Sequence, residues 1–264
     1  MNRIDAFFNT ARRSKRKALI AYLTVGYPTA EATIDIATAL VDGGCDMIEL
    51  GIPFSDPLAD GATIQHASQR ALESGITPRK CLEVAAELRK RVDIPLLFMG
   101  YYNPTLHYGL DKFCAASRKA GIDGFIIPDL PPDEGGEAEI VMKKHGINLV
   151  YLVAPTSDTD KRLRFVTGRA NGFIYVVSLK GVTGARAAVS TDIDKFISRV
   201  RRVTDKPLCV GFGISTPEQA QRVARLADGV IIGSRILDII EKSKHPASDV
   251  KAFIAEVRAA IDAH

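Results

Sequence analysis

What the chain has little of narrows its class before any motif is read. It holds only four cysteines, Cys45, Cys81, Cys114 and Cys209, widely spread and without a CxxC pair. In a chain of 264 residues, too large to need disulfide staples, that pattern predicts free thiols and a reducing cytoplasm. Residues Met1 to Ala11 lack the apolar centre of a secretory signal, and no apolar run reaches the roughly 18 residues of a membrane-spanning helix. A soluble, unprocessed protein is expected, with no membrane partner. The five histidines, His66, His107, His145, His245 and His264, form neither HExxH nor another metal-ligand cluster, so no metal is predicted and most are read as surface residues. A large charge excess is missing too. The net charge is +4, and the densest basic run, Arg12, Arg13, Lys15, Arg16 and Lys17, has no interleaved aromatic residue. A solvated helix face accounts for that run, and nucleic-acid binding is not expected.

No Pro/Ser-rich linker, low-complexity tract or break in composition divides the chain, so a single domain spanning 1–264 is predicted. What is present is a repeated pattern. Eight apolar runs rich in Ile, Val, Leu and Phe recur, each followed by a helical stretch: Ala18 to Val25, Met47 to Ile52, Pro95 to Tyr101, Gly124 to Pro128, Asn148 to Val153, Gly172 to Ser178, Pro207 to Gly211 and Gly229 to Ile232. Near-continuous apolar character marks parallel strands buried on both faces. The helical stretches carry apolar residues three and four apart, as in Ile193, Phe196, Ile197, Val200 and Val203. Thr216, Pro217 and Gln219 form a helix start with an N-cap, an N1 proline and a capping-box glutamine. Eight strand and helix units, in a chain near the ~250 residues usual for the architecture, predict an α/β fold of the (β/α)8 TIM-barrel type. Two strand-to-helix loops are long, at about 53–61 and 179–189, and both belong to the C-terminal face where barrel active sites are built.

Three segments carry candidate chemistry. Ile48 to Gly61 places Glu49 within an apolar strand and Asp56 and Asp60 in the loop after it. Burial raises a carboxyl pKa toward neutrality, whereas a loop aspartate near solvent more easily stays ionised, so two such groups can divide acid and base work. The alternative is that Glu49 pairs with a buried Lys or Arg. Gly211-Phe212-Gly213 and Gly233-Ser234 end the last two strands, where close backbone approach and a helix N-terminus make a phosphate site, or else only tight turns. Gly181-Val182-Thr183-Gly184 can hinge over a phosphorylated substrate, with Thr183 in loop closure, or serve as an ordinary loop. Lys180 keeps open a Schiff-base aldolase on the same barrel, in which Glu49 acts on a smaller sugar phosphate.

The stretch from Ile48 to Gly61 resembles the signature of the tryptophan synthase alpha chain family at all fourteen positions. The resemblance continues in order through Tyr102 and Asn103, Gly172 to Tyr175, Gly181 to Gly184, Gly211 to Ile214, and Gly233-Ser234. It implies a lyase that splits indole-3-glycerol phosphate into indole and glyceraldehyde 3-phosphate, with no cofactor in this chain. By resemblance Glu49 is the general acid and base, Asp60 accepts the indole N–H, and Tyr175 stands near the reacting centre. Gly184, Gly213, Gly233 and Ser234 hold the phosphate, while Tyr22, Ile64, Ile127 and Phe212 wall the indole. The resemblance further implies a β-subunit partner in an αββα heterotetramer, with pyridoxal phosphate in the β chain only. The segment from Pro53 to Asp60 and the neighbourhood of Asn103 to His107 are then expected to face β. The chain departs from the commonest family pattern at Tyr22, where phenylalanine is usual, and at Gly26-Tyr27-Pro28. A hydroxyl at Tyr22 requires a hydrogen-bond partner. A non-catalytic barrel kept as an allosteric partner remains the other class of reading.

Overall fold

The computed structural model describes residues 1–157, 159–177, 188–211 and 213–263. The eight apolar runs become strands: β1 (Ala18–Thr24), β2 (Met47–Gly51), β3 (Leu96–Met99), β4 (Gly124–Ile126), β5 (Asn148–Val153), β6 (Ile174–Val177), β7 (Leu208–Gly211) and β8 (Gly229–Ile232). Each pairs in parallel with the next, and β8 pairs with β1, so the sheet closes and leaves no edge. The predicted (β/α)8 barrel is the observed fold. The strand residues are almost all buried, because one face fills the barrel and the other meets helices. Several strands are shorter than their apolar runs. Pro95 and Pro207 fall just outside the ladders, each lending a carbonyl to a neighbouring strand, from Ile48 at 3.2 Å and Ile174 at 2.8 Å.

Helices outnumber strands, against the expected one per strand. The described residues form α1 (Arg3–Ser14), α2 (Ala30–Asp42), α3 (Ala62–Glu73), α4 (Pro78–Arg89), α5 (Tyr102–Tyr108) and α6 (Leu110–Lys119) in the first half. The second half adds α7 (Gly136–Lys144), α8 (Asp160–Arg169), α9 (Ala188–Arg201), α10 (Pro217–Ala224), α11 (Ser234–Lys242) and α12 (Pro246–Asp262). The doubled helices arise at breaks in helical stretches. Gly75, at φ +80°, separates α3 from α4, and Gly109, at φ +94°, separates α5 from α6. On α9 the predicted stripe is buried at Phe196, Ile197 and Val200. The Thr216 cap of α10 forms as predicted, accepting from the Gln219 amide at 3.4 Å, but the Gln219 side chain reaches one residue further back, to the Ser215 amide at 2.8 Å.

The N-terminal face of the barrel is closed by α1 and by a set of aspartates. Ile4 of α1 packs against Gly124 and Gly172, where a Cβ would crowd it. Asp46, Asp123 and Asp228 each stand immediately before an even-numbered strand and accept the first or second amide of the preceding strand: Leu19 at 2.9 Å, Leu96 at 3.1 Å and Leu208 at 2.8 Å. Arginines neutralise all three. Asp46 meets Arg16 and Arg258, Asp123 meets Arg3, Arg89 and Arg118, and Asp228 meets Arg201. The basic run is exposed at Arg12, Arg13, Lys15 and Arg16, as expected of a solvated face, but three of its side chains also reach partners in the fold. Arg12 donates to the Asp205 carbonyl, Arg16 clamps Asp46, and Lys17 donates to the Ala227 carbonyl at 2.8 Å. Asp123, fully buried among three guanidinium groups, holds β3 in register with β4. Asp123→Ala strands those charges, and urea denaturation is expected to show a loss of about 3–5 kcal/mol. A loss below about 1 kcal/mol would mean that the cluster is solvated and contributes little.

Candidate active site

At the opposite, C-terminal face a cavity of about 590 Å³ opens into the barrel. Strand alternation decides which side chains enter it. Tyr22 and Glu49 are register partners on β1 and β2, so both point inward, and Met99, Tyr175 and Ile231 join them from β3, β6 and β8. Asp60 and Gly61 close the cavity from the loop after β2, Ile64 from α3, and Gly213, Gly233 and Ser234 from the ends of the last two strands. Size alone does not designate this site. A larger cavity, of about 820 Å³, lies at the N-terminal face beside Arg12, Lys15, Arg16 and Lys17, but Arg12, Arg16 and Lys17 are held by the bonds just described.

Glu49 is fully buried, and neither carboxyl oxygen has a hydrogen-bond partner among the described residues. The ion pair left open as an alternative is absent there. Arg258, the buried arginine among the described residues, serves Asp46 and Asp262. With no cation or donor among the described residues to stabilise the anion, burial pushes the Glu49 carboxyl up to about 8. Asp60 is less exposed than a loop position suggests. Burial pushes it up to about 6, against the opposing effect of a hydrogen bond from the Tyr101 hydroxyl. At neutral pH the cavity thus presents one protonated carboxyl and one largely ionised carboxylate.

Two tyrosines fill the barrel between these groups and the phosphate end. Tyr22 finds the partner its hydroxyl requires in Thr24 Oγ1, at 3.3 Å, and its ring lies where a side chain on Gly51 would collide. Tyr175 occupies the equivalent space over Gly211. Burial and the nearby carboxyls hold both phenols well above their ordinary range, so both remain protonated. Beyond them Gly233 precedes α11 and supplies no side-chain cap, leaving the first turn of that helix facing the cavity beside Ser234. Gly213 lies opposite, at φ +81°.

The structure therefore brings together Tyr22, Glu49, Asp60, Ile64, Tyr175, Gly213, Gly233 and Ser234. Ile127 is placed elsewhere. It is buried just past β4 and lines a separate hollow with Pro128, Leu130 and Tyr151, while Met99 of β3 contributes to the cavity wall. Thr183, Gly184, Phe212 and Lys180 lie outside the described residues. Sequence reasoning missed Tyr101, whose hydroxyl accepts the Ala59 amide at 2.8 Å beside Asp60, and Arg235, which follows Ser234 at the mouth of the cavity. Neither carries a local signal, since Tyr101 reads as the end of an apolar run and Arg235 as helix surface. No group of three or more His, Cys, Asp or Glu side chains capable of holding a metal occurs among the described residues.

The Glu49 carboxyl links the site to stability. The folded chain keeps its proton up to about pH 8, whereas an unfolded glutamate releases it near 4.5, so stability falls as pH rises between those values. Between about pH 5 and about pH 8 the wild type is expected to lose on the order of 2–4 kcal/mol more than Glu49→Gln, read as the difference between their denaturation curves. Parallel losses in both proteins would show that the buried carboxyl is not held protonated.

Relatives of known name agree with this geometry. A family model described as "Tryptophan synthase alpha chain" matches residues 8–263. The tryptophan synthase alpha chain of Dehalococcoides mccartyi is 51% identical over 99% of this chain and 100% of its own length, and that of Chloroflexus aggregans is 49% identical over 100% and 98%. Among solved structures, tryptophan synthase subunit alpha from Legionella pneumophila superposes with a TM-score of 0.92 at 38% identity, covering 99% of each chain. A chain from Mycobacterium tuberculosis tryptophan synthase gives 0.91 at 36% identity, covering 100% of this chain and 99% of the other. With a closed parallel barrel, a carboxyl buried in β2 and family similarity over essentially its whole length, the chain belongs to the tryptophan synthase alpha chain family.

Proposed function

We propose that this chain performs the family's lyase reaction, cleavage of indole-3-glycerol phosphate to indole and glyceraldehyde 3-phosphate, with Glu49 as general acid and base and Asp60 as the fixed anion for the ring. The observation that carries this reading is Glu49 itself, a carboxyl without a hydrogen-bond partner among the described residues, kept protonated at neutral pH on the wall of the cavity that Asp60 closes. Breaking the bond between indole C3 and the glycerol chain first requires a proton on C3, which makes the ring an electron-poor indolenine cation. Glu49 supplies that proton. Asp60, ionised, receives the indole N–H and meets the positive charge as it develops. The glycerol hydroxyl then gives up its proton, a carbonyl forms, and the electrons of the breaking carbon–carbon bond return to the ring. Glu49, ionised by its first transfer, takes the hydroxyl proton and ends as it began. The helix start at Gly233 and Ser234, with Gly213, suits the phosphate of the substrate. No step calls for a cofactor in this chain.

Family membership implies a β-subunit partner, and we infer the αββα arrangement with pyridoxal phosphate in the β chain. Two exposed leucines support a docking face at the C-terminal end of the barrel. Leu58, in the loop after β2, is 94% exposed, and Leu106, on α5, is 47% exposed. No helix among the described residues is long and apolar enough to cross a membrane, and a cytoplasmic site of action fits the four free cysteines. A purely regulatory barrel would have no use for a buried carboxyl without a partner, since the group only costs stability.

Indole release from indole-3-glycerol phosphate, measured with and without a tryptophan synthase β subunit, tests the reading. Activity is expected to follow a bell with limbs near pH 6 and pH 8, where Asp60 gains and Glu49 loses a proton. Glu49→Gln should lower kcat by ~10²–10⁴. Ser234→Ala should act on KM, by about tenfold or less, and leave kcat nearly unchanged. Absence of indole under every condition would remove the lyase assignment, and wild-type rates in Glu49→Gln would remove its proposed acid.

A further inference from the structure

The loop that carries Asp60 ends in a tight turn, Pro57 to Asp60, closed by the Asp60 amide on the Pro57 carbonyl at 3.0 Å. Leu58 at its tip is 94% exposed, so packing does not hold the turn there. The helix start that follows has no side-chain cap either, because its N-cap is Gly61. Two bonds from outside the turn take that place. The Tyr101 hydroxyl, just past β3, accepts the Ala59 amide at 2.8 Å, and the Gln65 side chain, one turn into α3, donates from Nε2 to the Asp60 carbonyl at 2.8 Å. The same nitrogen lies 3.5 Å from the Pro57 carbonyl. Both neighbours are acceptors, so the Gln65 amide must present its nitrogen to them. Gln65 itself is exposed, but α3 is anchored beneath it by Ile64, Ala67, Ser68 and Ala71.

We propose that Gln65 is a positioning residue of the reaction, its side-chain amide tying the Asp60 peptide to α3 so that the carboxylate keeps its place on the cavity wall. The inference rests on the reading of Asp60 given above. An anion stabilises developing charge most when it stands ready and need not reorganise as the charge appears. Thr63 and Ile64, on the same turn of α3, line the cavity that Asp60 closes. Gln65 therefore refers Asp60 to a helix that is itself part of the wall. It acts on the backbone of Asp60 and not on the substrate, and what it contributes is the donor, since an exposed side chain adds little by packing.

Gln65→Met keeps the length of the side chain and removes the donor, whereas Gln65→Lys keeps a donor at similar reach. In Gln65→Met kcat is expected to fall about two- to tenfold with KM little changed, the loss of one neutral hydrogen bond, and Gln65→Lys should recover most of it. A role in packing alone would order the two variants the other way, because methionine is closer to glutamine in shape than lysine is. Amide hydrogen exchange of the free chain gives a readout without substrate. Gln65→Met should speed exchange of the Ala59 and Asp60 amides by about two- to tenfold and leave amides later in α3 unchanged. Unchanged exchange at those two amides, wild-type kcat in Gln65→Met, or a loss in Gln65→Lys as large as in Gln65→Met overturns the inference. Wild-type activity in Asp60→Asn would instead overturn the role given to Asp60, while the exchange result still decides whether Gln65 holds the turn.

Discussion

The arrangement depends on one unfavourable burial. Glu49 lies in a strand interior with no hydrogen-bond partner for either oxygen among the described residues, so its neutral form is the one the barrel tolerates. That constraint shapes its surroundings. A cation nearby would restore the anion and remove the acid, and among the described residues Glu49 shares the cavity wall with phenols, aliphatic side chains, hydroxyls, glycines and two further acids, Asp60 and Asp238. Among the described residues that line the cavity, positive charge stands at the rim, at Arg235, while the arginine clusters lie at the far end of the barrel. The two tyrosines do double service, since they fill space that would admit water and remain uncharged while doing so.

The two mouths of the barrel divide the remaining work. At the N-terminal mouth, aspartates before β2, β4 and β8 are saturated with arginines and strand amides, an arrangement that fixes register and leaves no group free to react. At the C-terminal mouth the glycines at strand ends, the open first turn of α11 and the Asp60 loop leave groups available to a ligand. Charge by itself distinguishes neither mouth as the active one. The difference lies in whether each charged or polar group already has its partner in the fold.

Much of this was legible in the sequence because the signals are local. Apolar runs located all eight strands, and the Ile48 to Gly61 stretch located the acid before any geometry was known. The Thr216 cap set the start of α10 correctly, though Gln219 chose the Ser215 amide over the cap residue's own. What sequence could not supply were bonds spanning distant segments. The Tyr101 hydroxyl meets an amide 42 positions away, and Arg258 meets Asp46 across 212. The basic run is exposed as its composition suggested, but the partners of three of its side chains, Asp46 and the carbonyls of Asp205 and Ala227, lie in other units and left no trace in the local sequence. Asp60 illustrates the same limit. Its loop position suggested solvent, and only the folded loop places it at the cavity with its carboxyl pushed up to about 6.

Arg258 has a bearing on how the protein is made. From the last helix its guanidinium reaches the Lys17 carbonyl at 2.9 Å and the Asp46 carboxylate at 3.1 Å, so the final turns of the chain lock the first two strands. β1 also draws its second neighbour from β8. During synthesis the first strand is made well before the strand and the helix that enclose it. Closure of this barrel therefore waits on β8 and α12, and an apolar first strand must be kept from pairing with other chains until both are in place.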